Sequence, residues 1–340
     1  MKAMLGALLA ATVLAVAACG GDDSGGSSSA AAKSGAPEKL TIAYQTIPNG
    51  DLVVKHQKWL ERALPDTKIE WKLFDSGGTV NEAVAAGSVD IGLAGSSPVS
   101  RGLSDKLPYE VPWIHDVIGS AEALAVRDDI KSIEDLKGKT VATPLASTSH
   151  YSLLAALDQA GLSADDVKII DAEPDDISAA WARGDIDGAY VWNPNLAKIL
   201  DDGGHVLVDS AQLAEAGVQT YDLGVVTDEL AQRYPDVVKT WVAQEDRAVK
   251  LYEDDPQEFA KAVGAELNLD PAEVLDQAKG LIFVPAADQV KSDYLGGTLA
   301  KTLFGTAEFN QGLGQIDAVQ PEGTYGNAVT NEFVRQVAVG

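Results

Sequence analysis

The chain has 340 residues, with 26 Lys and Arg against 51 Asp and Glu, giving a formal net charge of −25. Such a negative surface repels nucleic acids and anionic lipid headgroups, so we exclude both as partners. The single cysteine and the four histidines lack zinc-site spacing, and there is no GxSxG, GxGxxG or Walker loop. The composition therefore predicts no enzyme, no metal and no cofactor.

The N-terminus has the pattern of an export signal. Lys2 precedes an apolar run over 4–18 that is shorter than the roughly 20 residues needed to span a membrane. The run ends in small residues before Cys19, which resembles the lipobox of bacterial lipoproteins. We therefore expect a signal peptide over 1–18, lipid on Cys19 and a flexible tether over 19–38 with a reach of about 25 Å. The protein would sit outside the cytoplasm, anchored to the outer leaflet of the cell membrane.

From residue 39 onward, short β-branched runs alternate with longer helical patterns. The predicted strands are 40–45, 68–74, 90–93, 110–115, 121–126, 140–143, 167–170, 186–192 and 206–207. The predicted helices are 53–63, 80–86, 132–136, 151–160, 177–183, 194–200, 229–234 and 237–253, and the chain is largely helical beyond residue 254. This alternation favours an α/β fold with mostly parallel sheets and crossover helices.

Two extended passages, over 110–126 and 221–227, bracket a central α/β block. This order predicts one lobe inserted into another, with lobe I formed by 39–126 plus 223–340 and lobe II by 127–222. Folds of this kind close around a ligand by a hinge. A ligand is therefore expected in the cleft between the lobes.

Four turns from strand to helix are rich in Ser, Thr, Asn and Gly, at 74–79, 95–98, 146–150 and 190–194. Free backbone N–H groups at a helix N-terminus favour a small anion. We expect Ser97 and Asn193 to be N-caps, with Pro98 at the first helical position. Alternatively, these residues only cap their own helices.

Other side chains near these turns suit a cation. Glu122 and Asp222 lie at the two predicted crossovers, where carboxylates would meet an ammonium group. Tyr44, Tyr190 and Trp192 offer aromatic faces, with core packing as the alternative. Gln45 and His150 would contact the ligand, although His150 also suits a helix cap. For Trp59, Trp181 and Trp241 we expect core positions.

Several short motifs resemble those of the taurine-binding proteins of bacterial ABC importers, within the sulfonate/nitrate/taurine solute-binding family. They are AYQT at 43–46, FDSG at 74–77, GSSP at 95–98, SAEAL at 120–124, STSHYSLLAAL at 147–157 and GDIDGAYVW at 184–192. The resemblance implies a two-lobe periplasmic-binding-protein-like fold of type II and a monomer that delivers its ligand to a permease with cytoplasmic ATPases. Two departures from the family pattern are Leu223 after Asp222, and Asn193 after Trp192.

The resemblance implies taurine as the ligand, with another sulfonate or nitrate as the alternative. A pyrimidine-synthase-like enzyme on the same fold and a purely structural lipoprotein are the remaining hypotheses. The expected ligand-binding residues are Tyr44, Gln45, Asp75, Ser76, Gly77, Ser96, Ser97, Glu122, Ser147, Thr148, His150, Tyr190, Trp192, Asn193 and Asp222.

Overall fold

The computed structural model describes residues 35–339, so Cys19, the predicted signal peptide and most of the predicted tether lie outside the described residues. The strands are β1 (Lys39–Tyr44), β2 (Lys68–Leu73), β3 (Ile91–Gly95), β4 (Tyr109–Ile118), β5 (Glu122–Val126), β6 (Thr140–Thr143), β7 (Lys168–Asp171), β8 (Gly188–Trp192), β9 (His205–Asp209), β10 (Tyr221–Thr227) and β11 (Leu281–Ile282).

The α-helices alternate with the strands up to β10 and dominate the chain after it. They are α1 (Gly50–His56), α2 (Trp59–Ala63), α3 (Gly77–Ala85), α4 (Ser96–Ser104), α5 (Thr148–Gln159), α6 (Pro174–Arg183), α7 (Asn195–Asp201), α8 (Ser210–Glu215), α9 (Asp228–Arg233), α10 (Pro235–Asp254), α11 (Pro256–Leu267), α12 (Pro271–Ala278), α13 (Ala286–Gln289), α14 (Thr298–Gly312), α15 (Glu322–Ala328) and α16 (Glu332–Ala338). Among residues 35–339, no helix is both long enough and apolar enough to cross a membrane.

The strands form two sheets. The first has the order β11-β4-β10-β3-β1-β2, and the second has the order β7-β6-β8-β5-β9. Within the first, β1 is parallel to β2 and β3, while β10 runs antiparallel to β3 and β4. Within the second, β6 is parallel to β7 and β8, while β5 runs antiparallel to β8 and β9. The mixed α/β class predicted from the alternating pattern is confirmed.

Each sheet is covered by apolar helix faces. Trp59 and Trp241 belong to the large core of the first sheet, and Trp181 belongs to a core of the second. All three indoles are at most 7% exposed, so their predicted core positions are confirmed. The burial of such large side chains is a main source of the stability of the two layers.

The predicted lobe boundaries need correction at both crossovers. The strand β5 was assigned to lobe I, but it pairs with β8 and β9 in the second sheet. Conversely, Tyr221 and Asp222 were assigned to lobe II, but they belong to β10 of the first sheet. A strand belongs to the sheet that satisfies its backbone hydrogen bonds, and the sequence does not show which neighbours will do so.

Local predictions hold with smaller corrections. The helix predicted over 53–63 is split into α1 and α2, because Lys58 adopts a left-handed conformation with φ of 50°. The prolines Pro256 and Pro271 occupy the first positions of α11 and α12, as expected for helix starts. The strand β1 begins at Lys39, where the body was expected to begin, although the carbonyl of Pro37 already accepts a hydrogen bond from Thr67.

Candidate ligand-binding site

A pocket lies between residues of the two sheets, with about 440 Å³ of space not filled by protein atoms, part of it open to solvent. It is lined by Gln45, Ile47, Pro48, Gly77, Gly95, Pro98, Ile118, Ala121, Glu122, Ser147, Thr148, Trp192, Asn193, Asp222 and Leu281. The lining combines carboxylates, hydroxyls and apolar side chains. Among the described residues that line it, none carries a positive charge.

Antiparallel pairing explains how distant residues meet at this pocket. Asp222 at the start of β10 pairs with Gly95 at the end of β3. Likewise, Glu122 at the start of β5 pairs with Trp192 at the end of β8. Because antiparallel strands run in opposite directions, the first residue of one lies beside the last residue of the other. Both crossover carboxylates therefore lie at the edge where the parallel strands end, which is where ligands bind in α/β sheets.

Glu122 is a buried carboxylate held by hydroxyl groups. Its Oε2 accepts a hydrogen bond of 2.6 Å from Thr148, and its Oε1 accepts one of 3.0 Å from Ser210. Burial raises the pKa of Glu122, and the hydroxyl donors oppose that rise. The Tyr190 hydroxyl lies 3.2 Å from Ser210 Oγ, so Tyr190 helps to hold the hydroxyl group that donates to Glu122.

Asp222 is the second carboxylate of the lining, and Asp116 lies behind it as its partner on β4. Burial, followed by the negative charge of Glu122, raises the pKa of Asp222 to about 7. Burial and the charge of Asp222 raise the pKa of Asp116 well above its ordinary value. Three acidic groups this close disfavour a simple anion beside them, whereas an ammonium group would relieve their repulsion.

Three helices begin at the pocket: α3 at Gly77, α4 at Ser96 after Gly95, and α5 at Thr148. Ser147 is the N-cap of α5, and its hydroxyl accepts from the backbone N–H of His150 at 3.1 Å. The first N–H groups of a helix have no partner within it, and the helix dipole makes this end positive. The converging helix N-termini therefore provide an anion-binding region built without Lys or Arg.

Two glycines allow the backbone to approach closely here. A Cβ on Gly77 would lie 2.6 Å from Pro98 Cγ, and a Cβ on Gly95 would lie 2.5 Å from Thr148 Cγ2. Neither distance is compatible with a side chain at its position. The starts of α3 and α4 thus pack against their neighbours more closely than any other residue type would permit.

Two predicted caps are wrong. The helix α4 begins at Ser96 with Gly95 as N-cap, so Ser97 is the second helical residue and Pro98 the third. The helix α7 begins at Asn195 after Pro194, so Asn193 precedes the cap. Asn193 still stabilises the start of α7, because its Oδ1 accepts a hydrogen bond of 3.2 Å from the N–H of Ala197.

Of the fifteen residues expected to bind a ligand, the structure brings eight to the pocket. They are Gln45, Gly77, Glu122, Ser147, Thr148, Trp192, Asn193 and Asp222. Gln45 is held in place by a 3.0 Å bond from its Nε2 to the carbonyl of Leu93. Trp192 is 8% exposed, so it belongs both to a core cluster and to the lining.

The other seven lie outside the lining: Tyr44, Asp75, Ser76, Ser96, Ser97, His150 and Tyr190. Tyr44 packs edge-on against Trp71, with its ring centroid 6.2 Å away, and under the Lys55 ammonium. Asp75 is exposed, and Ser76 donates to Glu173. Ser96 accepts from the N–H of Tyr221 at 3.2 Å. Side-chain chemistry suggested a ligand role for Tyr44, Ser76 and Ser96, but each of these side chains contacts another part of the protein instead.

Ser97 and His150 are buried at helix starts without lining the pocket. His150 Nδ1 accepts from the N–H of Ala146 at 3.4 Å. Burial, with a contribution from Arg101, lowers the pKa of His150 to about 4. A neutral imidazole that accepts a hydrogen bond from the turn before its own helix matches the helix-cap alternative for this residue.

Sequence reasoning missed part of the lining and the acid behind it. Ile47, Ile118, Ala121 and Leu281 supply apolar contacts, and β11 brings Leu281 from far along the chain. Asp116 did carry a signal, because it is a charged residue inside an otherwise buried strand. Leu281 had none, since nothing local distinguishes it from a core residue.

The arrangement defines a class of protein: a small-molecule binder whose pocket lies between two α/β sheets. A family model described as NMT1/THI5 like matches residues 69–259. The taurine-binding periplasmic protein of Escherichia coli K12 is 36% identical over 302 residues, covering 87% of this chain and 92% of that relative. A putative aliphatic sulfonates-binding protein of the same organism is 34% identical over 185 residues, covering 54% of this chain and 58% of the relative.

Among solved structures, the alkanesulfonate-binding protein SsuA from Xanthomonas axonopodis pv. citri, bound to MOPS, superposes with a TM-score of 0.75. It is 24% identical, and the match covers 87% of this chain and 99% of that one. The fold is thus that of periplasmic binding proteins, as expected. The chain belongs to the NMT1/THI5-like family.

Proposed function

We propose that the protein is a lipid-anchored solute-binding protein, and not an enzyme, that captures taurine outside the cytoplasm. It delivers taurine to an ABC permease driven by cytoplasmic ATPases. The observation that carries the ligand assignment is the pocket lining itself. It places the carboxylates of Glu122 and Asp222 in the same small space as the helix starts at Gly77 and Thr148. A ligand with both an anionic and a cationic end satisfies both groups.

The sulfonate of taurine is anionic at all physiological pH values, so neutral donors are sufficient to bind it. The N-termini of α3 and α5 offer backbone N–H groups and a positive dipole end. A lysine or arginine at this position would add a desolvation cost, whereas backbone dipoles are already fixed in place. Ser147 and Thr148 add hydroxyl groups to the same region.

The ammonium group, two carbons away, would lie against the acidic part of the lining. Asp222 and Glu122 would supply the counter-charge, and Trp192 an aromatic face. The raised pKa of Asp222 supports this assignment, because a bound cation would favour the ionised carboxylate and remove an unfavourable repulsion. A plain alkanesulfonate would leave both buried carboxylates without a cationic partner, at a cost of about 1–3 kcal/mol.

Anchoring and location rest on the N-terminal sequence. Cys19 follows a short apolar run and small residues, which resembles a lipobox, and a Gly- and Ser-rich stretch comes after it. The curated relative from Escherichia coli is described as periplasmic, which supports an extracytoplasmic location. Mass spectrometry of the membrane-extracted protein tests the anchor: a diacylglyceryl mass on a peptide beginning at Cys19 is expected. An unmodified mature N-terminus elsewhere would contradict it.

Calorimetric titration of the purified protein tests the ligand. Taurine is expected to bind at micromolar concentration or tighter, with ethanesulfonate at least tenfold weaker, and nitrate and glycine weaker still. Equal affinities for taurine and ethanesulfonate would show that the carboxylates do not contribute to recognition of the ligand. No response to taurine at all would overturn the ligand assignment.

The second candidate is a binder of aliphatic sulfonates. The apolar residues Ile47, Ile118 and Leu281 in the lining favour it, because they would accept an alkyl chain. Two similar proteins are described as binding such compounds. Under this alternative, affinity would increase from ethanesulfonate to butanesulfonate and exceed that for taurine.

A further inference from the structure

Asp51, His115 and Glu245 form a cluster in the first-sheet core, separate from the pocket lining. Asp51 belongs to α1, His115 to β4 and Glu245 to α10. One ligand-type atom from each lies within 4.8 Å of the others. His115 Nε2 is 3.9 Å from Asp51 Oδ2, and His115 Nδ1 is 3.7 Å from Glu245 Oε2. We propose that this cluster binds a divalent transition-metal ion, of the Zn²⁺ or Mn²⁺ type.

Burial and missing partners distinguish this cluster from ordinary surface acids. The three residues are 1–2% exposed. Both ring nitrogens of His115, both carboxylate oxygens of Glu245 and Oδ1 of Asp51 have no hydrogen-bond partner among the described residues. Buried polar atoms are almost always paired in native proteins, and an unpaired one costs about 1–3 kcal/mol. A bound ion between the three side chains would give a partner to each atom that faces it.

The charge balance favours a dication. His115 is almost fully buried, and a neutral imidazole nitrogen is a common metal ligand. Asp51 and Glu245 are almost fully buried and lie close together, so ionising both carboxyls requires a counter-charge. In the part of the chain that the structure describes, no Lys or Arg forms an ion pair with either carboxylate. One divalent ion would neutralise both carboxylates at a place where none of the described basic side chains does.

The donor set narrows the choice of metal. One imidazole nitrogen and two carboxylate oxygens are typical ligands of Zn²⁺ and related ions, whereas Ca²⁺ takes six to eight oxygen ligands. Metal–ligand bonds of about 2.0–2.2 Å place neighbouring ligand atoms roughly 3.3–3.6 Å apart. Asp51 and Glu245 lie nearest to different nitrogens of the His115 ring, and one ion binds through only one of them. The set with one ligand atom from each residue lies within 4.8 Å and must contract to reach this range. Small side-chain rotations would complete a three-ligand site.

Two glycines leave room around these side chains. A Cβ on Gly50 would lie 3.1 Å from Glu245 Oε2, and one on Gly224 would lie 3.3 Å from His115 Nε2. The site also adjoins the ligand pocket. Asn49 Oδ1 accepts from the N–H of Asp51, and the lining residue Pro48 directly precedes Asn49. A metal bound here would fix the segment that leads from the pocket into α1.

Metal analysis of the purified protein tests the site. Inductively coupled plasma and native mass spectrometry are expected to find about one divalent metal ion per chain, and EDTA treatment is expected to lower the melting temperature. Glu245→Gln and Asp51→Asn should each reduce metal content at least fivefold. Glu110→Gln is the matched control, because Glu110 is a half-buried acid of the same strand β4, outside the cluster, and this variant should retain the metal.

A second measurement covers the case in which the variants do not fold. Co²⁺ added to EDTA-treated wild-type protein should give visible d–d absorption of four- or five-coordinate geometry and restore the melting temperature. Two results would overturn the proposal: no metal in the purified protein with no stabilisation by Zn²⁺, Mn²⁺ or Co²⁺, or metal that remains in Glu245→Gln. Taurine affinity is not part of this test, so its result stands apart from the proposed function.

Discussion

The Ser76 hydroxyl donates a hydrogen bond of 3.2 Å to Glu173 Oε1, joining the N-cap of α3 to the residue that precedes α6. The helix α3 follows a strand of the first sheet, and α6 follows a strand of the second. This contact therefore bridges the two halves of the pocket. It was not expected from the sequence, where Ser76 was assigned to the ligand.

Removing that bridge is expected to weaken ligand binding without affecting the pocket lining. Glu173→Ala should increase the Kd for taurine about threefold to tenfold, because a hydrogen bond of this kind contributes about 1 kcal/mol to holding the two sides of the pocket together. Calorimetric titration measures the change. Ser163→Ala is the control, since its hydroxyl bonds only to Asp166 within its own turn. An unchanged Kd in Glu173→Ala would show that the contact does not stabilise the bound form.

Glu122→Gln tests the carboxylate that Thr148 and Ser210 hold in place. The glutamine carbonyl retains one hydroxyl donor, so the fold should persist while the negative charge disappears. We expect taurine affinity to fall about tenfold to a hundredfold, as is typical when a charged partner is lost from a buried pair. Ethanesulfonate affinity should stay constant or rise, because ethanesulfonate has no ammonium group. An equal loss for both ligands would indicate a general disruption of the pocket.

Taurine affinity should depend on pH through Asp222. Because its pKa is raised to about 7 in the unliganded protein, the carboxyl is largely protonated at pH 5.5. Binding an ammonium favours the ionised form, so affinity should rise from pH 5.5 to 8 and proton release should be greatest below pH 7. Titrations in buffers of different ionisation enthalpy measure the released proton. Asp222→Asn should bind weakly at all pH values and release fewer protons than the wild type.

Asp222→Asn should also stabilise the unliganded protein, with a defined pH dependence. The folded pKa of Asp222 lies near 7, above the ordinary value of 3.8. The stability that this group contributes is therefore lost as the pH rises from about 4 to 7. The variant avoids that loss, so its advantage should be roughly 1 kcal/mol or more at pH 8 and should vanish below pH 4. Denaturant unfolding at both pH values measures it; a variant less stable than wild type at pH 8 would contradict the assignment.

Gly77→Ala is expected to strain the start of α3. Its new Cβ would lie 2.6 Å from Pro98 Cγ, so the backbone of two helix starts must shift, at a cost of about 1–3 kcal/mol. Gly78→Ala is a matched control on the neighbouring residue, where the nearest atom would be 3.7 Å away. The melting temperature and the taurine affinity should both fall in Gly77→Ala and stay unchanged in Gly78→Ala. Similar behaviour of both variants would refute the close-packing argument.

Local chemistry made the α/β class, the core tryptophans and some of the helix starts predictable, although the caps expected at Ser97 and Asn193 were wrong. Ser147 caps α5 because a serine before an apolar helical pattern can bond its own backbone, and Pro256 starts α11 because its ring fits the first turn. These features depend on neighbours within a few residues. The predicted elements were least accurate where the backbone leaves the right-handed helical region, as at Lys58, where one predicted helix became two.

Strand pairing and helix packing determined which distant residues meet at the pocket and in the cores. The sequence alone determined that Glu122 and Asp222 lie at chain crossovers, but only the sheet register placed both at the pocket edge. Tyr190 shares a strand with Trp192, yet its hydroxyl meets Ser210 in the second-sheet core. Asp51, His115 and Glu245 are far apart in the chain and meet only because α1 and α10 pack on β4. Contacts between distant residues depend on which surfaces become buried together, and no single segment of the chain contains that information.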